Sequence, residues 1–299
     1  MLLFRTVART GSLSAAAREL TMTQPAVSQQ LRHLEREVGT PLMLRGARGI
    51  TLTEAGSLLL ARADAVASQL HMADEELSSV ANLREGRVRL VAFPSAAAVL
   101  VPDALQDLSA RHPGLEVTMV EAEPPEAWTS VREGEADVAL VFGYDGPPPD
   151  DGELAWIPLT VEPLRLVLPP GHPGARRRRP TWLADEAWIA GCERCRQHLV
   201  ARCRDAGFEP RLTHESDDYV VVQNLVARGL GVTVLPRLAL QAFRHPEVVV
   251  RPLDSFGERH VGIVHRPGAG EVPATRALVD RLASAARSLP PGLEGMLAP

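Results

Sequence analysis

The sequence predicts an α/β protein with a small all-α domain at its N-terminus. Helical spacing of apolar residues continues to about residue 83, and strand-like and helical segments alternate after Gly86. The charge also changes along the chain, since residues 1–66 hold eight arginines and five acidic residues, whereas residues 67–299 hold 24 and 32. The net charge of −5 therefore combines +3 at the N-terminus with −8 in the remainder, which indicates separate functions for the two parts.

The composition excludes several classes of protein. With 299 residues, 45% of them apolar and 23% charged, the chain is long enough for two or three folded domains. All 32 basic residues are arginine, so chemistry that needs a lysine, such as Schiff-base formation, is excluded. The apolar runs reach only about six residues, Arg5 and Arg9 interrupt the N-terminus, and the chain has three cysteines. These features argue against a transmembrane helix, a secretory signal and a disulfide framework, and they predict a cytoplasmic protein.

Two helices joined by a tight turn are predicted near the N-terminus, after a first helix that ends at Gly11. Helical spacing marks the first of the pair, with Leu13, Ala16, Ala17 and Leu20. Thr23 is in position to cap the second, and Pro25 falls in its first turn, where the missing N–H costs nothing. The second helix continues to Gly39 with Val27, Leu31, Leu34 and Val38 at helical spacing. This is the pattern of a helix-turn-helix motif.

A β-hairpin and a long helix follow. The segment Arg45-Gly46-Ala47-Arg48-Gly49 lies between the apolar runs 42–44 and 50–52, and it predicts a wing with an arginine-bearing tip. Thr53 then caps a helix that reaches to about Leu83. Alternating spacings of four and three mark seven residues of this helix, namely Leu59, Ala63, Val66, Leu70, Ala73, Leu77 and Val80. Such a heptad seam is typical of a helix that pairs with a copy of itself, although a lone helix packed on its own domain is an alternative.

Beyond Gly86 the period changes to that of short strands separated by helices. The predicted strands are 89–93, 115–120, 137–142, 164–168, 188–190, 211–214, 232–235, 248–253 and 261–265. The predicted helices are 99–111, 126–133, 194–206, 218–228 and 274–288. The alternation predicts parallel sheets in two similar lobes, with the last strand and helix returning to the first. We therefore expect a head (residues 1–58), a linker helix (59–85) and a body (86–299), whose lobe I comprises 86–160 and 266–299 and whose lobe II comprises 161–265.

Residues 2–60 contain a specific set of motifs. They are GSLSAAAREL at 11–20, TQPAVSQQL at 23–31, LE at 34–35, VGTPL at 38–42, Arg45, RG at 48–49 and LTEAG at 52–56. This set closely resembles the LysR-type transcriptional regulators, and ARGLGVTVLP at 227–236 is the clearest match in the body. The resemblance implies a winged helix-turn-helix that binds promoter DNA. It also implies a two-lobed effector domain with a fold similar to the periplasmic binding proteins.

One face of the second helix is a candidate DNA-reading surface. If Val27, Leu31 and Leu34 face the core, the opposite face carries Gln24, Pro25, Ser28, Gln29 and Arg32. Glutamine can make paired hydrogen bonds to adenine, and proline can contact a thymine methyl group. The resemblance implies base contacts for Gln24, Pro25, Ser28 and Gln29, and we expect Ser14, Arg32 and Arg48 to contact phosphates or groove edges. A solvated helix face without a partner is the alternative.

The resemblance also implies effector contacts at four places where a predicted strand ends. The candidate residues are Ser95, Ala96, Phe142, Gly143, Gly191, Cys192 and Ser216. The Ser95 hydroxyl and the neighbouring N–H groups could bind a carboxylate, or Ser95 could simply cap the helix that begins there. Glu215, Asp217 and Asp218 argue against a simple anionic effector, because unpaired carboxylates would repel it.

A cysteine cluster lies in the second half of the chain. Cys192, Cys195, His198 and Cys203 fall within twelve residues, and these residue types suit zinc. On a regular helix, however, the four side chains do not converge on one ion. A dithiol of Cys192 and Cys195 is sterically easier, and arginines such as Arg194 and Arg196 would lower its pKa. The simplest interpretation is small buried thiols, so no metal and no other cofactor is predicted.

These patterns predict a one-component regulator that binds DNA as a homodimer or homotetramer and responds to a small-molecule effector. No catalytic motif is found, so the protein is not expected to be an enzyme. One alternative is a redox- or metal-responsive regulator that senses through Cys192, Cys195 and Cys203. A less favoured one is an enzyme or small-molecule-binding protein with an incidental helical head. The four-arginine run at 176–179 is predicted to be a solvated loop.

Overall fold

The computed structural model describes residues 1–46, 49–81, 86–147, 152–176 and 180–290. The helices in this part of the chain are α1 (Leu2–Thr10), α2 (Leu13–Glu19), α3 (Gln24–Val38), α4 (Glu54–Ala81), α5 (Pro94–Val99), α6 (Val101–Arg111), α7 (Pro124–Arg132), α8 (Glu193–Asp205), α9 (Tyr219–Ala227), α10 (Arg237–Ala242) and α11 (Pro273–Arg287). The strands are β1 (Met43–Gly46), β2 (Gly49–Leu52), β3 (Gly86–Ala92), β4 (Leu115–Glu121), β5 (Val138–Tyr144), β6 (Ala155–Leu168), β7 (Ala187–Ala190), β8 (Arg211–Glu215), β9 (Thr233–Pro236), β10 (Val249–Pro252) and β11 (Glu258–His265). None of the helices in these ranges is long and apolar enough to cross a membrane.

The head is built from the apolar faces of α1, α2 and α3, which enclose one core with the hairpin β1–β2. Phe4, Val7, Ala16, Val27 and Leu31 are almost completely buried in this core. Burying a large apolar side chain contributes about 1.5–3 kcal/mol relative to leaving it exposed, so these few residues supply most of the stability of a domain this small. The predicted helical spacing is therefore confirmed by the packing.

The chain divides into two compact units, Met1–Leu77 and Ser78–Pro299. In the second unit, a seven-stranded sheet runs in the order β10-β6-β11-β5-β3-β4, and β9 also pairs with β6. The neighbours β4, β3 and β5 are parallel, as predicted, and β7 and β8 form a separate parallel pair. Helices packed on parallel strands of this kind make an α/β fold.

Two strands, β6 and β11, connect the lobes and differ from the sequence-based expectation. The first part of β6 pairs with β11 and its last five residues pair with β9 and β10, so this strand is much longer than the predicted 164–168. β11 lies antiparallel between β5 and β6, and Val261 and Ile263 are buried in the core of lobe I. This position agrees with the expected return of the last strand to lobe I, whereas the expected end of lobe II at residue 265 lies too far along the chain. The expectation of a wholly parallel sheet was also wrong, because β11 returns to lobe I against the direction of β5.

Some predicted features lie outside the described residues, and one element was not predicted. Ala47 and Arg48 at the tip of the wing, the end of the linker helix at 82–85, and most of the arginine run at 176–179 belong to the first group. The helix α10 was not predicted, since its six residues are too few to show a helical period.

Candidate functional site

The start of α3 is organised as the sequence predicts. The Thr23 side chain accepts a hydrogen bond from the Ala26 amide at 3.4 Å, and Pro25 lies in the first turn. Gly39 ends the helix with φ 78°, a left-handed conformation that glycine adopts without steric cost. Both ends of α3 are therefore fixed by local sequence.

One face of α3 is exposed, as the periodicity predicts. Val27 and Leu31 are buried, whereas Gln24, Pro25, Gln29 and Arg32 are exposed, and Ser14 is exposed on α2. These side chains can reach a major groove, whose edges present hydrogen-bonding groups to a helix of this kind.

Ser28 departs from this pattern. Its side chain is only 7% exposed, and its Oγ accepts a hydrogen bond from Nη1 of Arg32 at 3.3 Å. The expectation that Ser28 lies on the exposed face is therefore wrong in this structure. The side chain of Arg32, one turn further along the helix, contacts the short Ser28 side chain, while longer neighbours project beyond it.

The hairpin is held against the head by side chains far from its tip. Oε1 of Glu35 accepts hydrogen bonds from the amides of Leu42, at 2.9 Å, and Met43, at 3.3 Å. The start of α4 lies so close to this segment that a Cβ at Gly56 would be 2.0 Å from the carbonyl oxygen of Leu42. The Gly in the LTEAG motif thus permits a backbone contact that any side chain would block.

The heptad seam on α4 has two parts. Leu59 packs on the core of the head and Ala63 is fully buried, which accounts for the first heptad. Val66 and Leu70, one and two turns further along, are 42% and 52% exposed. Exposed aliphatic side chains at heptad positions are typical of a helix that pairs with another helix. The side chains of Leu77 and Val80 lie outside the described residues.

A cleft in the body lies where the carboxyl ends of strands from both lobes meet. Its empty space, including the open mouth, is about 760 Å³. The segments after β3, β4, β5, β7 and β8 contribute to its walls, and β11 reaches the same edge with its first residues because it runs in the opposite direction. The predicted residues that line it are Ser95, Phe142, Gly191, Cys192 and Ser216. Ligands of α/β proteins commonly bind at such an edge.

Two predicted effector residues, Ala96 and Gly143, do not line the cleft. The Ala96 amide donates to the carbonyl of Phe93 at 3.0 Å, within the first turn of α5. Gly143 lies inside β5, opposite His260 of β11. Both backbones are therefore engaged in the protein itself, which sequence position alone did not reveal.

Arg259 is the central charged residue of the cleft and was not predicted. Its Nε donates to Oε1 of Glu162 at 2.7 Å and its Nη2 donates to Oγ of Ser95 at 2.9 Å. Its guanidinium lies over the rings of Phe142 and Phe93, 4.4 and 4.8 Å from their centroids. Burial lowers the pKa of Arg259, but the carboxylate of Glu162 together with Tyr144 and Cys195 outweighs this effect, and the pKa is raised. Ser95 therefore accepts from Arg259 and does not act as a helix cap.

Two acidic residues, Glu162 behind the cleft and Glu123 in its wall, have unequal surroundings. Glu162 is fully buried and its second oxygen accepts from the amide of Leu238 at 2.7 Å. Glu123, which follows β4, lines the cleft with a buried Oε2 that has no hydrogen-bond partner among the residues described. Burial raises the pKa of Glu123, against the opposing effects of the Cys192 thiol and the Arg259 charge.

The three acids Glu215, Asp217 and Asp218, which the sequence placed near the effector site, separate in the structure. Glu215 lies 3.6 Å from Arg196, and Asp218 caps α9 by accepting from the amides of Val220 and Val221. Asp217 alone of the three lines the cleft. The argument against an anionic effector therefore rests on Asp217 and on Glu123, which the sequence did not single out.

Cys192 and Cys195 meet in the cleft, at the N-terminus of α8. Their sulfur atoms are 2.8 Å apart, and the Tyr144 hydroxyl lies 3.3 Å from the sulfur of Cys195. The hydrogen bond from Cys192, that from Tyr144 and the charge of Arg259 lower the pKa of Cys195, although burial opposes them. The same hydrogen bond, together with burial, raises the pKa of Cys192. The dithiol interpretation is thus geometrically possible.

The arginines expected to activate the dithiol are not those that do so. Arg194 donates to the carbonyl of Phe142 at 3.4 Å, and Arg196 pairs with Glu193. Arg259, distant in sequence, supplies the nearby positive charge. The four-residue cluster does not assemble either, because Cys203 is buried in the core of lobe II, where burial raises its pKa to about 12.

His198 is also held away from a metal-binding arrangement. Its ring stacks on Tyr144 with centroids 3.9 Å apart, and its Nε2 lies 2.8 Å from the carbonyl oxygen of Phe256. Burial lowers the pKa of His198. Among the residues that the structure describes, no three histidine, cysteine or acidic side chains are arranged to hold a metal ion.

Two protein-family models match separate parts of the chain. Residues 1–57 match the family described as bacterial regulatory helix-turn-helix protein, lysR family. Residues 81–287 match the LysR substrate binding domain.

Individual relatives extend over nearly the whole chain. The sequence is 30% identical over 282 residues to the probable HTH-type transcriptional regulator LrrA of Synechococcus elongatus, with 92% of each chain covered. It is 32% identical over 286 residues to a probable hydrogen peroxide-inducible genes activator of Mycobacterium avium, with 92% of this chain and 89% of the relative covered.

Solved structures show the same fold. A full-length variant of OxyR from Pseudomonas aeruginosa superposes with a TM-score of 0.71 at 24% identity, covering 96% of this chain and 93% of that one. Full-length CbnR complexed with its target DNA superposes with a TM-score of 0.61 at 19% identity, covering 95% of this chain and 98% of that one. At such low identity these likenesses concern the fold alone.

Proposed function

Because the chain belongs to the LysR family of bacterial transcriptional regulators, we propose that α3 reads operator DNA through Gln24, Pro25 and Gln29. The protein is a DNA-binding transcriptional regulator with an effector-binding C-terminal domain. The exposed face of a helix with both ends capped is the observation that carries the proposal. Ser14, Arg32 and Arg48 contact phosphates or groove edges, and Ser28 positions Arg32 through their hydrogen bond.

A footprint of the full-length protein on its own upstream DNA tests this proposal. Replacing Gln29→Ala should change the preferred base at one position per half-site, by about 1–3 kcal/mol, because a bidentate contact is lost. Arg32→Ala should weaken binding to all sequences and reduce the salt dependence by about one ion. Gln30→Ala is the matched control, since Gln30 is also exposed but lies roughly 165° around the helix from the reading face. Unchanged base preference in the Gln29 variant would refute the assignment.

The domain limits follow from the same assignment. We propose a head at 1–58, a linker helix at 59–85 and a body from residue 86, with the exposed Val66 and Leu70 forming part of a dimer seam. Dimer formation strengthens operator binding because the second half-site contact becomes intramolecular. We infer that the protein acts in the cytoplasm, where promoter DNA is found, and that it regulates transcription and does not catalyse a reaction.

The cleft is proposed as the effector site, with Ser95, Phe142, Gly191, Cys192 and Ser216 in its wall. An effector that binds one arrangement of the lobes better than another shifts the population toward it, and so changes how the heads meet DNA. Thermal-shift measurements on Ser95→Ala test this site. A ligand that stabilises the native protein should lose most of its effect in the variant, because Ser95 positions Arg259.

A second candidate function is sensing of hydrogen peroxide, and the approach of Cys192 to Cys195 favours it. The Cys195 thiolate would attack one peroxide oxygen, forming a sulfenic acid and releasing water after protonation. The Cys192 sulfur would then displace the sulfenic hydroxyl as water, so that two thiols and one peroxide yield one disulfide and two waters. The similarity to a hydrogen peroxide-inducible genes activator is consistent with this candidate.

Peptide mapping after peroxide treatment separates the two candidates. If peroxide is sensed, the Cys192–Cys195 peptide loses two hydrogens and the footprint changes, and Cys195→Ser abolishes both effects. Cys203→Ser is the control and should react normally, since the buried Cys203 stays protonated below its pKa of about 12. If peroxide does not change the footprint, peroxide sensing is rejected and effector binding remains the proposed function of the cleft.

A further inference from the structure

The charge of the cleft indicates which class of effector it selects, an inference that rests on the proposed effector site and goes beyond it. We propose that the cleft takes a small molecule with a flat apolar body and a cationic amine, and that Glu123 binds the amine. A carboxylate effector is disfavoured. The residues Glu123 and Asp217 thereby act as specificity determinants.

The apolar body follows from the walls. Phe93, Phe142, Tyr144 and Phe256 all line the cleft, together with aliphatic side chains of both lobes. Phe142 meets Phe93 and Tyr144 edge to face, with centroids 4.9 and 5.5 Å away. Rigid aromatic walls of this kind bury a flat apolar ligand with little loss of side-chain freedom.

The groups that would bind an anion are already occupied. Arg259 forms an ion pair with the fully buried Glu162, and its guanidinium carbon lies 4.4 and 4.8 Å from the ring centroids of Phe142 and Phe93. Ser95 accepts from Arg259, and the amides of Ala96 and Ala97 both donate to the carbonyl of Phe93. The charge of Arg259 and the first amides of α5, which the sequence suggested for a carboxylate, are therefore engaged within the protein, and Ser95, whose hydroxyl keeps a proton to donate, offers a neutral donor without a charge.

The acidic groups, in contrast, are only partly compensated, because the Cys192 thiol is a neutral partner of Glu123 and the charge of Arg259, which also acts on Glu123, is paired with Glu162. Neither Glu123 nor Asp217 forms an ion pair with a basic side chain in the described part of the chain, and Oε2 of Glu123 is buried without a hydrogen-bond partner there. A buried carboxylate oxygen in this state is costly, and a ligand ammonium that donates to it removes that cost. A ligand carboxylate would add a third negative charge.

Calorimetric titration of the full-length protein with three probes of similar size tests the proposal. The probes are 2-phenylethylamine, 2-phenylethanol and 3-phenylpropanoate, which are respectively cationic, neutral and anionic. The amine should bind at least tenfold more tightly than the acid, with the alcohol between them. Equal or tighter binding of the acid, or no binding of the amine, would overturn the proposal.

Variants identify the residue responsible. Glu123→Gln should weaken amine binding about tenfold and leave the alcohol unchanged, whereas Asp217→Asn, at an exposed position, should weaken it by a smaller factor. Glu126→Gln should have no effect, because Glu126 lies in the first turn of α7, which Glu123 directly precedes, and does not line the cleft. If Glu123→Gln does not fold, the Asp217 variant decides: an unchanged ratio of amine to acid affinity contradicts the proposal.

Footprinting of the same preparations distinguishes this inference from the proposed function. Intact operator binding together with tighter binding of the acid would retain the regulator and discard the cationic effector. If the protein without substitutions does not bind the operator, the DNA-reading assignment is rejected, whichever ligand the cleft binds.

Discussion

The head and the body differ in how their functional residues relate to their cores. In the head, buried Val27 and Leu31 support the helix while exposed Gln24 and Gln29 are free to contact DNA. In the body, Arg259 both lines the cleft and forms a buried ion pair with Glu162. A substitution on the exposed face of α3 should therefore change DNA binding and leave the free energy of unfolding unchanged. A substitution in the cleft should change both effector binding and the free energy of unfolding.

The two regions also differ in the sequence distance that their sites span. The residues proposed to read DNA fall within one helix and its neighbours, whereas Arg259 contacts Glu162 and Ser95 across 97 and 164 residues. The head can thus be assembled from local signals, while the cleft exists only when both lobes are folded.

The largest expected effect concerns the ion pair of the body. Glu162→Gln leaves the buried guanidinium of Arg259 without its counter-charge and should destabilise the body by about 3–5 kcal/mol, measured by denaturant unfolding. Glu116→Gln breaks an exposed pair with Arg87 and should cause no measurable change. If the two variants have the same free energy of unfolding, the buried ion pair contributes no more stability than the exposed one. The contrast between the cleft of the body and the exposed face of the head would then be lost.

A second change tests the seam on the linker helix. Leu70→Glu places a charge at an exposed heptad position and should weaken operator binding at least 100-fold, about 2.7 kcal/mol, by preventing dimerisation. Far-UV circular dichroism should remain unchanged, because the native side chain is already half exposed. Ala65→Glu, exposed on the same helix but off the seam, is the control. A Leu70 variant that binds as tightly as the parent would refute the seam.

The smallest of the three effects concerns the head alone. Gly56→Ala forces a Cβ against the carbonyl oxygen of Leu42 and should destabilise the head by about 2 kcal/mol. Calorimetry should show a lower melting transition for the head and an unchanged one for the body. Ser57→Ala, exposed at the next position, should leave both transitions in place. A single shifted transition for the whole chain would show that the two units do not unfold separately.

The fold of the body was predicted unevenly. Strands β3, β4 and β5 were identified because each is a short apolar run between helical segments. The first half of β6 was missed because Pro158, Glu162 and Pro163 interrupt its apolar residues. Proline and glutamate are uncommon in strands, so local propensity does not predict one here. Pairing with β11 stabilises it there, and that pairing depends on residues about 100 positions away.

The candidate cleft shows the same limit. Ser95, Phe142, Gly191, Cys192 and Ser216 were found because each follows or ends a predicted strand. Arg259 and Glu123 were missed, since a charged residue beside a strand usually points to solvent. The approach of charged residues that are far apart in the sequence leaves no mark on the spacing of either segment.

The sequence by itself determined the helical head, the exposed face of α3, the hairpin and the division of charge between head and body. These features depend on caps, turns and apolar periods within a few residues, which act locally. Only the tertiary structure decided that Arg259 pairs with Glu162, that Cys195 meets Cys192 and Tyr144, and that Glu123 faces the cleft unpaired. Burial sets the energy of each of these groups, and burial is a property of the folded chain that no local stretch of sequence specifies.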